Sequence, residues 1–286
     1  NALTPENVMK WAGIHPEADQ FNFGPADRYV DFGATHKMFL VGHTLIWHEQ
    51  TPAWVFEDGK GGLADRGSLL ARMSNHIHTV VGRYKGRVKG WDVVNEALND
   101  DGSMRQSKWR QIIGDDYLLK AFEFAHAADP EAELYYNDYS LENDAKRVGA
   151  VALVRKLKAA GASITGIGTQ MHIKLDWPST QAVEATITEF GKLGVKVMVT
   201  ELDLDVLPAA TRNQGADISL RAAANTALNP YTNGLPDSVQ QQITDRYASL
   251  FAIFVKHSDV MARVTFWGVT DGDSWLNDWP VRGRVN

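Results

Sequence analysis

Cysteine is absent from the 286 residues, which removes disulfides, thiolate nucleophiles and cysteine-based zinc sites together and leaves the redox compartment open. Positive charge is not in excess either. Lys+Arg of 29 against Asp+Glu of 35 gives a formal charge of −6, a surface that repels nucleic-acid phosphates and anionic headgroups, so neither nucleic acid nor membrane is expected as a partner. No apolar run approaches the length of a bilayer span, and Asn1 to Trp11 carry neither a basic n-region nor a long apolar h-region. A leader removed beforehand would leave no trace, so secretion stays open.

No Pro-, Gly- or Ser-rich tract divides the chain, which is read as a single domain over residues 1–286. Hydrophobic residues at 44% and charged residues at 22% are ordinary globular usage and exclude disordered, collagen-like and coiled-coil classes. Strand candidates are Ala2–Glu6, Met38–Trp47, Val88–Glu96, Glu133–Tyr139, Ile164–His172, Lys196–Asp203 and Arg263–Val269. Helical periodicity fits between them: Leu69, Leu70, Met73, Ile77, Val80 and Val81 recur before Gly86, and Asp144–Ala160 stops at Gly161. Pro178-Ser179 opens a third helix and Asp237–Lys256 reads as a fourth.

Strand-then-helix repetition predicts parallel strands with helical crossovers and chemistry at the C-terminal strand ends. Val94 leads to Asn95-Glu96, Tyr136 to Asn137-Asp138, Gly168 to Gln170 and His172, Val199 to Glu201 and Asp203, and Phe266-Trp267 to Asp271. Polar residues spread over so many strand ends favour a (β/α)8 TIM barrel over a doubly wound sheet, whose chemistry gathers at one switch point.

Glu96 closes an apolar run, where desolvation would hold it protonated as a general acid. For any one such carboxylate, a rim ion pair is the plainer explanation. A second run ends in Glu201-Leu202-Asp203-Leu204, and the strand period puts Glu201 and Asp203 on one face, with His172 placed to supply a donor. Two Glu residues facing across one barrel mouth suit glycoside hydrolysis, retaining if roughly 5–5.5 Å apart. Among nine Trp residues, Trp47, Trp267 and Trp275 lie near polar strand ends, where indole can stack on a sugar face. Core or rim packing accounts for Trp54, Trp91 and Trp109.

Thr4-Pro5-Glu6-Asn7-Val8-Met9-Lys10-Trp11, Gly42-His43-Thr44-Leu45-Ile46-Trp47-His48, Trp91-Asp92-Val93-Val94-Asn95-Glu96-Ala97, Tyr136-Asn137-Asp138-Tyr139, Thr200-Glu201-Leu202-Asp203 and Trp267-Gly268-Val269-Thr270-Asp271 together resemble glycoside hydrolase family 10, the endo-β-1,4-xylanases. The resemblance runs in order through the whole chain. It implies that Glu96 is the acid/base and Glu201 the nucleophile of a retaining mechanism, that Asn95 binds the sugar 2-hydroxyl, and that His172 links Glu201 to Asp203. Glu6, Asn7, Lys10, His43, Trp47 and Gln170 would bind the glycone, with Trp267 and Trp275 walling the site. Lys10 and Trp275 would crowd a hexose hydroxymethyl group and so favour xylose. The implied partners are xylan and xylo-oligosaccharides, and the implied location is secreted or periplasmic. With about seven strands counted against eight, the chain is expected to lack the family barrel's first strand and helix and its last helix.

Two other readings follow from the same residues: a retaining β-glycanase acting on cellulose or aryl glycosides, and a truncated, non-catalytic xylan-binding protein. No cofactor or metal is expected. His76 and His78 point to different sides of a helix, His43…His48-Glu49 lacks the H-E-x-x-H pattern, and Gly166-Ile167-Gly168 lacks the rest of a dinucleotide fingerprint. Asn99-Asp100-Asp101-Gly102 reads as a turn, and Asp205–Pro236 as a long loop that either shapes leaving-group subsites or is a solvated connection.

Overall fold

A computed structural model of the chain describes residues 1–209, 216–219, 222–223 and 225–284. Parallel strands alternate with helices: β1 (Ala2–Leu3), α1 (Trp11–Ile14), α2 (Gly24–Thr35), β2 (Phe39–Ile46), α3 (Arg66–Arg83), β3 (Gly90–Asn95), α4 (Lys108–Ile113), α5 (Tyr117–Ala128) and β4 (Glu133–Asp138). They continue with α6 (Asp144–Ala159), β5 (Gly166–Thr169), β6 (His172–Lys174), α7 (Thr180–Gly191), β7 (Lys196–Asp205), α8 (Asp237–Lys256) and β8 (Met261–Phe266). The strands run in the order β1-β2-β3-β4-β5-β7-β6, with β8 on the other side of β7. The result is a nearly closed (β/α)8-type barrel.

The expected segments are present, four strands with ends within two residues of those expected and three with larger differences. The run Ile164–His172 is two strands, not one, because Met171 takes a left-handed φ of 61°. β5 pairs with the first half of β7, and β6 pairs with its far end, His172 opposite Asp203. The first strand stops at Leu3, ahead of Pro5, which has no N–H to give a ladder. The last runs from Met261 to Phe266 instead of Arg263–Val269, ending before Gly268 at φ 98°. Among the described residues β1 and β8 share no ladder, and a groove of ≈ 680 Å³ between them is lined in part by Leu3, Phe39, Val264 and Phe266. The stretch Asp205–Pro236 lies partly outside the described residues; its described part includes a 3-10 turn at Thr226–Leu228.

The local causes are legible. Asp65 caps α3 by accepting from the Ser68 amide at 2.9 Å, and the helix buries Leu69, Met73, Ile77, Val80 and Val81. Ser179 caps α7 through the Ala182 amide at 3.1 Å. β2 is buried from Leu40 to Ile46, as expected of a parallel strand covered on both faces. Gly42 is required there: a Cβ would meet the Trp91 ring at 2.0 Å. Most of the apolar core lies in one cluster shared by strands and surrounding helices, while Val41, Tyr135 and Met198, from β2, β4 and β7, form a separate small cluster. Strand alternation puts Val41 and Tyr135 on the same faces as His43 and Asn137. Those faces turn into the barrel, and at their C-terminal ends they carry the polar site.

Candidate active site

Glu96 follows the last residue of β3 and has a φ of 58°. That left-handed backbone costs a non-glycine residue ~1–3 kcal/mol and turns the side chain into the barrel mouth. Its carboxylate accepts from Trp47 Nε1 at 2.7 Å on one oxygen, and from Gln170 Nε2 at 2.9 Å and Asn95 Nδ2 at 3.0 Å on the other. Glu201 lies within β7, buried, with Oε1 accepting from Asn137 Nδ2 at 2.8 Å and Oε2 lying 3.3 Å from His172 Nε2.

The pKa values of the two carboxyl groups are pushed in opposite directions. Burial raises Glu96 to about 7, helped by the negative charges of Asp138 and Glu201 and opposed by hydrogen bonds from Gln170 and Trp47. Burial and Asp138 outrank Glu201, so Glu201 is only one contributor to the raised acid. At Glu201 burial also pushes upward, but the His172 hydrogen bond and the fields of His43, His172 and Lys10 outweigh it and hold the carboxyl below its ordinary value. Burial opposes charge on His172, yet Asp203 at 2.9 Å from Nδ1, together with Glu201, raises the imidazole to about 10. Asp203 also accepts from Trp275 Nε1 at 2.6 Å. Glu201, His172, Asp203 and Trp275 therefore form one chain of contacts.

Both glutamates line a single cavity of ≈ 180 Å³, and so do all the residues expected to bind sugar: Glu6, Asn7, Lys10, His43, Trp47, Gln170, Trp267 and Trp275. Lys10 Nζ donates to Asn7 Oδ1 at 3.1 Å and lies 4.9 Å from the centre of the Trp47 ring. Burial lowers its pKa, against the pull of Glu201, Glu96 and Glu6. His43 Nδ1 meets Asp92 at 2.9 Å; a carboxylate only accepts, so this nitrogen carries a proton. The His43 ring meets Trp267 edge to face at 5.5 Å. Asp203 stands behind His172 and does not line the cavity.

Asn137 has a part that sequence reasoning missed, although it stands in the quoted Tyr136-Asn137-Asp138 motif. Its carbonyl accepts from the Glu96 amide at 2.8 Å, while its side chain donates to Glu201. Gln170 does the converse: its carbonyl accepts from the Glu201 amide at 3.0 Å and its side chain donates to Glu96. The two amide residues thus cross-brace the two glutamates. Gln50, Ala216 and Ile218 also line the cavity. Nothing in their residue types marks them out.

A family model described as "Glycosyl hydrolase family 10" matches residues 1–284. The chain belongs to glycosyl hydrolase family 10. It is a glycoside hydrolase. It is 49% identical to "Endo-1,4-beta-xylanase A" of Xylanibacter ruminicola over 286 residues, covering 100% of this chain and 78% of that protein. It is 43% identical to "Beta-1,4-xylanase" of Dictyoglomus thermophilum, over 99% of this chain and 75% of that one. Among solved structures, a family 10 endoxylanase from a sugarcane soil metagenome superimposes with a TM-score of 0.98 at 44% identity, covering 100% of this chain and 83% of that one. The xylanase XynB of Paenibacillus barcinonensis, solved with a conduramine derivative, gives 0.91 at 40% identity, with coverages of 100% and 82%. A mutant solved with xylotriose gives 0.88 at 36%, with coverages of 100% and 83%.

Proposed function

We propose that this glycoside hydrolase is an endo-1,4-β-xylanase that cleaves internal xylosidic bonds with retention of configuration, through a covalent glycosyl-enzyme. The observation that carries the reading is the pair Glu96 and Glu201, lining one cavity with one carboxyl biased towards the acid form and the other towards the anion. The similarity to proteins named xylanases supports the substrate class.

Glu201, held as an anion by His172, attacks the anomeric carbon while Glu96 gives its proton to the departing glycosidic oxygen. The C–O bond to Glu201 forms as the bond to the leaving sugar breaks. Once Glu201 is an ester its negative charge is gone, and one of the influences raising Glu96 goes with it. Glu96, now ionised, takes a proton from water, which attacks the same carbon and frees Glu201. Asn95 uses one N–H on Glu96, leaving the other for the sugar 2-hydroxyl. Glu6, Asn7, Lys10 and His43 supply polar contacts to the glycone, Gln170 reaches it from beside Glu96, and Trp47, Trp267 and Trp275 supply apolar walls. Lys10 and Trp275 occupy the room a hydroxymethyl group would need, which selects xylose. A polymeric substrate of this kind fits a secreted or periplasmic location, and no helix among the described residues is long and apolar enough to cross a membrane.

Incubation with a 2-fluoro-xylobioside inactivator followed by peptide mass spectrometry tests the reading: the expected adduct is on Glu201. An unlabelled, folded protein or an adduct elsewhere overturns the nucleophile assignment. Hydrolysis of carboxymethylcellulose as fast as xylan overturns the substrate.

A further inference from the structure

Glu96 holds a backbone conformation that a side-chain-bearing residue leaves unless its surroundings prevent it. Every backbone polar group from Glu96 to Leu98 is held. The Glu96 amide donates to the Asn137 carbonyl at 2.8 Å, and the Glu96 carbonyl accepts from Arg105 Nε at 3.2 Å. The Ala97 amide donates to the Tyr136 phenol oxygen at 3.2 Å, and its carbonyl accepts from the Arg105 amide at 2.8 Å. The Leu98 amide donates to Asp138 Oδ2 at 3.3 Å, and its carbonyl accepts from Arg105 Nη2 at 3.2 Å.

Three side chains therefore grip the turn from two directions. Tyr136 and Asp138 come from β4, are fully buried, and are joined to each other by the phenol hydrogen bond to Asp138. Asp138 is fixed in turn by the Tyr139 amide at 2.9 Å and by Lys146 at 3.0 Å. Arg105 comes from the far side of the loop that returns through the Leu98–Met104 bridge, and Nη2 is also tied to the Tyr139 hydroxyl at 3.0 Å. Among the described residues none of these three lines the cavity.

We propose that Tyr136, Asp138 and Arg105 are positioning residues for proton delivery, clamping the Glu96–Leu98 turn so that the Glu96 carboxyl stays aimed at the departing oxygen. This rests on the acid/base reading of Glu96. In kcat/KM, which reports the steps up to the glycosyl-enzyme, the clamp acts through the proton that Glu96 donates. A leaving group that departs unprotonated escapes its loss; one that needs a proton does not. Acid catalysis by a placed side chain is worth ~10²–10⁴-fold, and misplacement by an ångström can remove ~10²-fold.

Tyr136→Phe removes one oxygen and keeps the buried ring; Arg105→Gln, at a part-buried position, removes the guanidinium and leaves Tyr136 and Asp138 in place. In each folded variant kcat/KM is measured on two xylobiosides, one with a dinitrophenol and one with an unactivated phenol as leaving group, beside Glu96→Ala. The expected result is a loss of roughly tenfold or more on the unactivated substrate and less than about twofold on the activated one, a smaller copy of the split in Glu96→Ala. Equal losses on both substrates, or none, in the two variants overturn the clamp while Glu96→Ala still shows the split. Glu96→Ala without a split overturns the acid/base reading itself. Should Tyr136→Phe fail to fold, Arg105→Gln decides the matter by the same ratio.

Discussion

Trp47 donates its indole N–H to Glu96 at 2.7 Å, a bond that stabilises the ionised carboxylate and so lowers a pKa that burial has raised to about 7. Trp47→Phe keeps most of the ring and removes the donor. The pKa of Glu96 then rises, and the alkaline limb of the kcat/KM profile, which marks loss of the acid proton, moves to higher pH. A pH profile on an unactivated aryl xylobioside measures it. A limb that stays put or moves down refutes the assignment of that limb to Glu96.

His172 stands on the other side of the balance. Replacing it by Gln removes the cation that holds Glu201 ionised, so the Glu201 pKa rises and the acidic limb moves upward. Losing one charge-assisted hydrogen bond of ~1.5–3 kcal/mol corresponds to roughly 10–100-fold in kcat/KM on the acidic side of the optimum. Profiles of both proteins from pH 4 to 8 check it. Asp203→Asn is expected to move the same limb in the same direction by a smaller amount, because it acts through His172.

His15 and His76 meet through their Nδ1 atoms at 3.1 Å, with Trp11 stacked on His76 at 3.7 Å between ring centres. One nitrogen must donate and the other accept, so the pair cannot be doubly protonated without losing the contact. Burial lowers both pKa values. The unfolded chain takes up protons near pH 6.5 and the native pair only at lower pH, so stability is full above pH 6.5 and falls below it, by up to ~1.4 kcal/mol per pH unit per histidine. His76→Phe is expected to flatten this slope. Urea unfolding at pH 7, 6 and 5 checks it, and parallel slopes in the two proteins count against the account.

Lys146 is fully buried with its Nζ 3.0 Å from Asp138 and 3.5 Å from the centre of the Tyr139 ring. The contact with Asp138 is an ion pair without hydrogen-bond alignment. Lys146→Met strands the Asp138 charge and is expected to cost about 3–5 kcal/mol. Thermal melts measure it. The double variant Lys146→Met with Asp138→Asn is expected to regain part of the loss.

Glu96 and Glu201 were legible as polar residues in the C-terminal parts of apolar strands, and the barrel fixes which way those ends face; Glu6, Asn7, Lys10, His43 and Gln170 were marked by the family resemblance, and they line the same cavity. His172 with Asp203 was legible for the same reason as Glu96 and Glu201. The break at Met171 was not: Gly166 to His172 contains no proline and no glycine at the break, and the left-handed residue arises where β5 and β6 dock on different parts of β7. The early stops of β1 and β8 did have signals, in Pro5 and Gly268. Asn137 was visible as a motif letter but not as a brace, since the two glutamates it holds lie 41 and 64 residues away.

The crossed contacts of Asn137 and Gln170 have a stereochemical consequence. Each residue anchors the main chain of one glutamate and the carboxylate of the other, so the gap between the two acids is gauged by two neighbouring staves instead of by glutamate rotamers. That gap decides whether water has room to attack directly or must wait for an ester. Under the proposed mechanism, control over which anomer leaves the enzyme would rest on Asn137 and Gln170, each through one backbone carbonyl and one uncharged side chain.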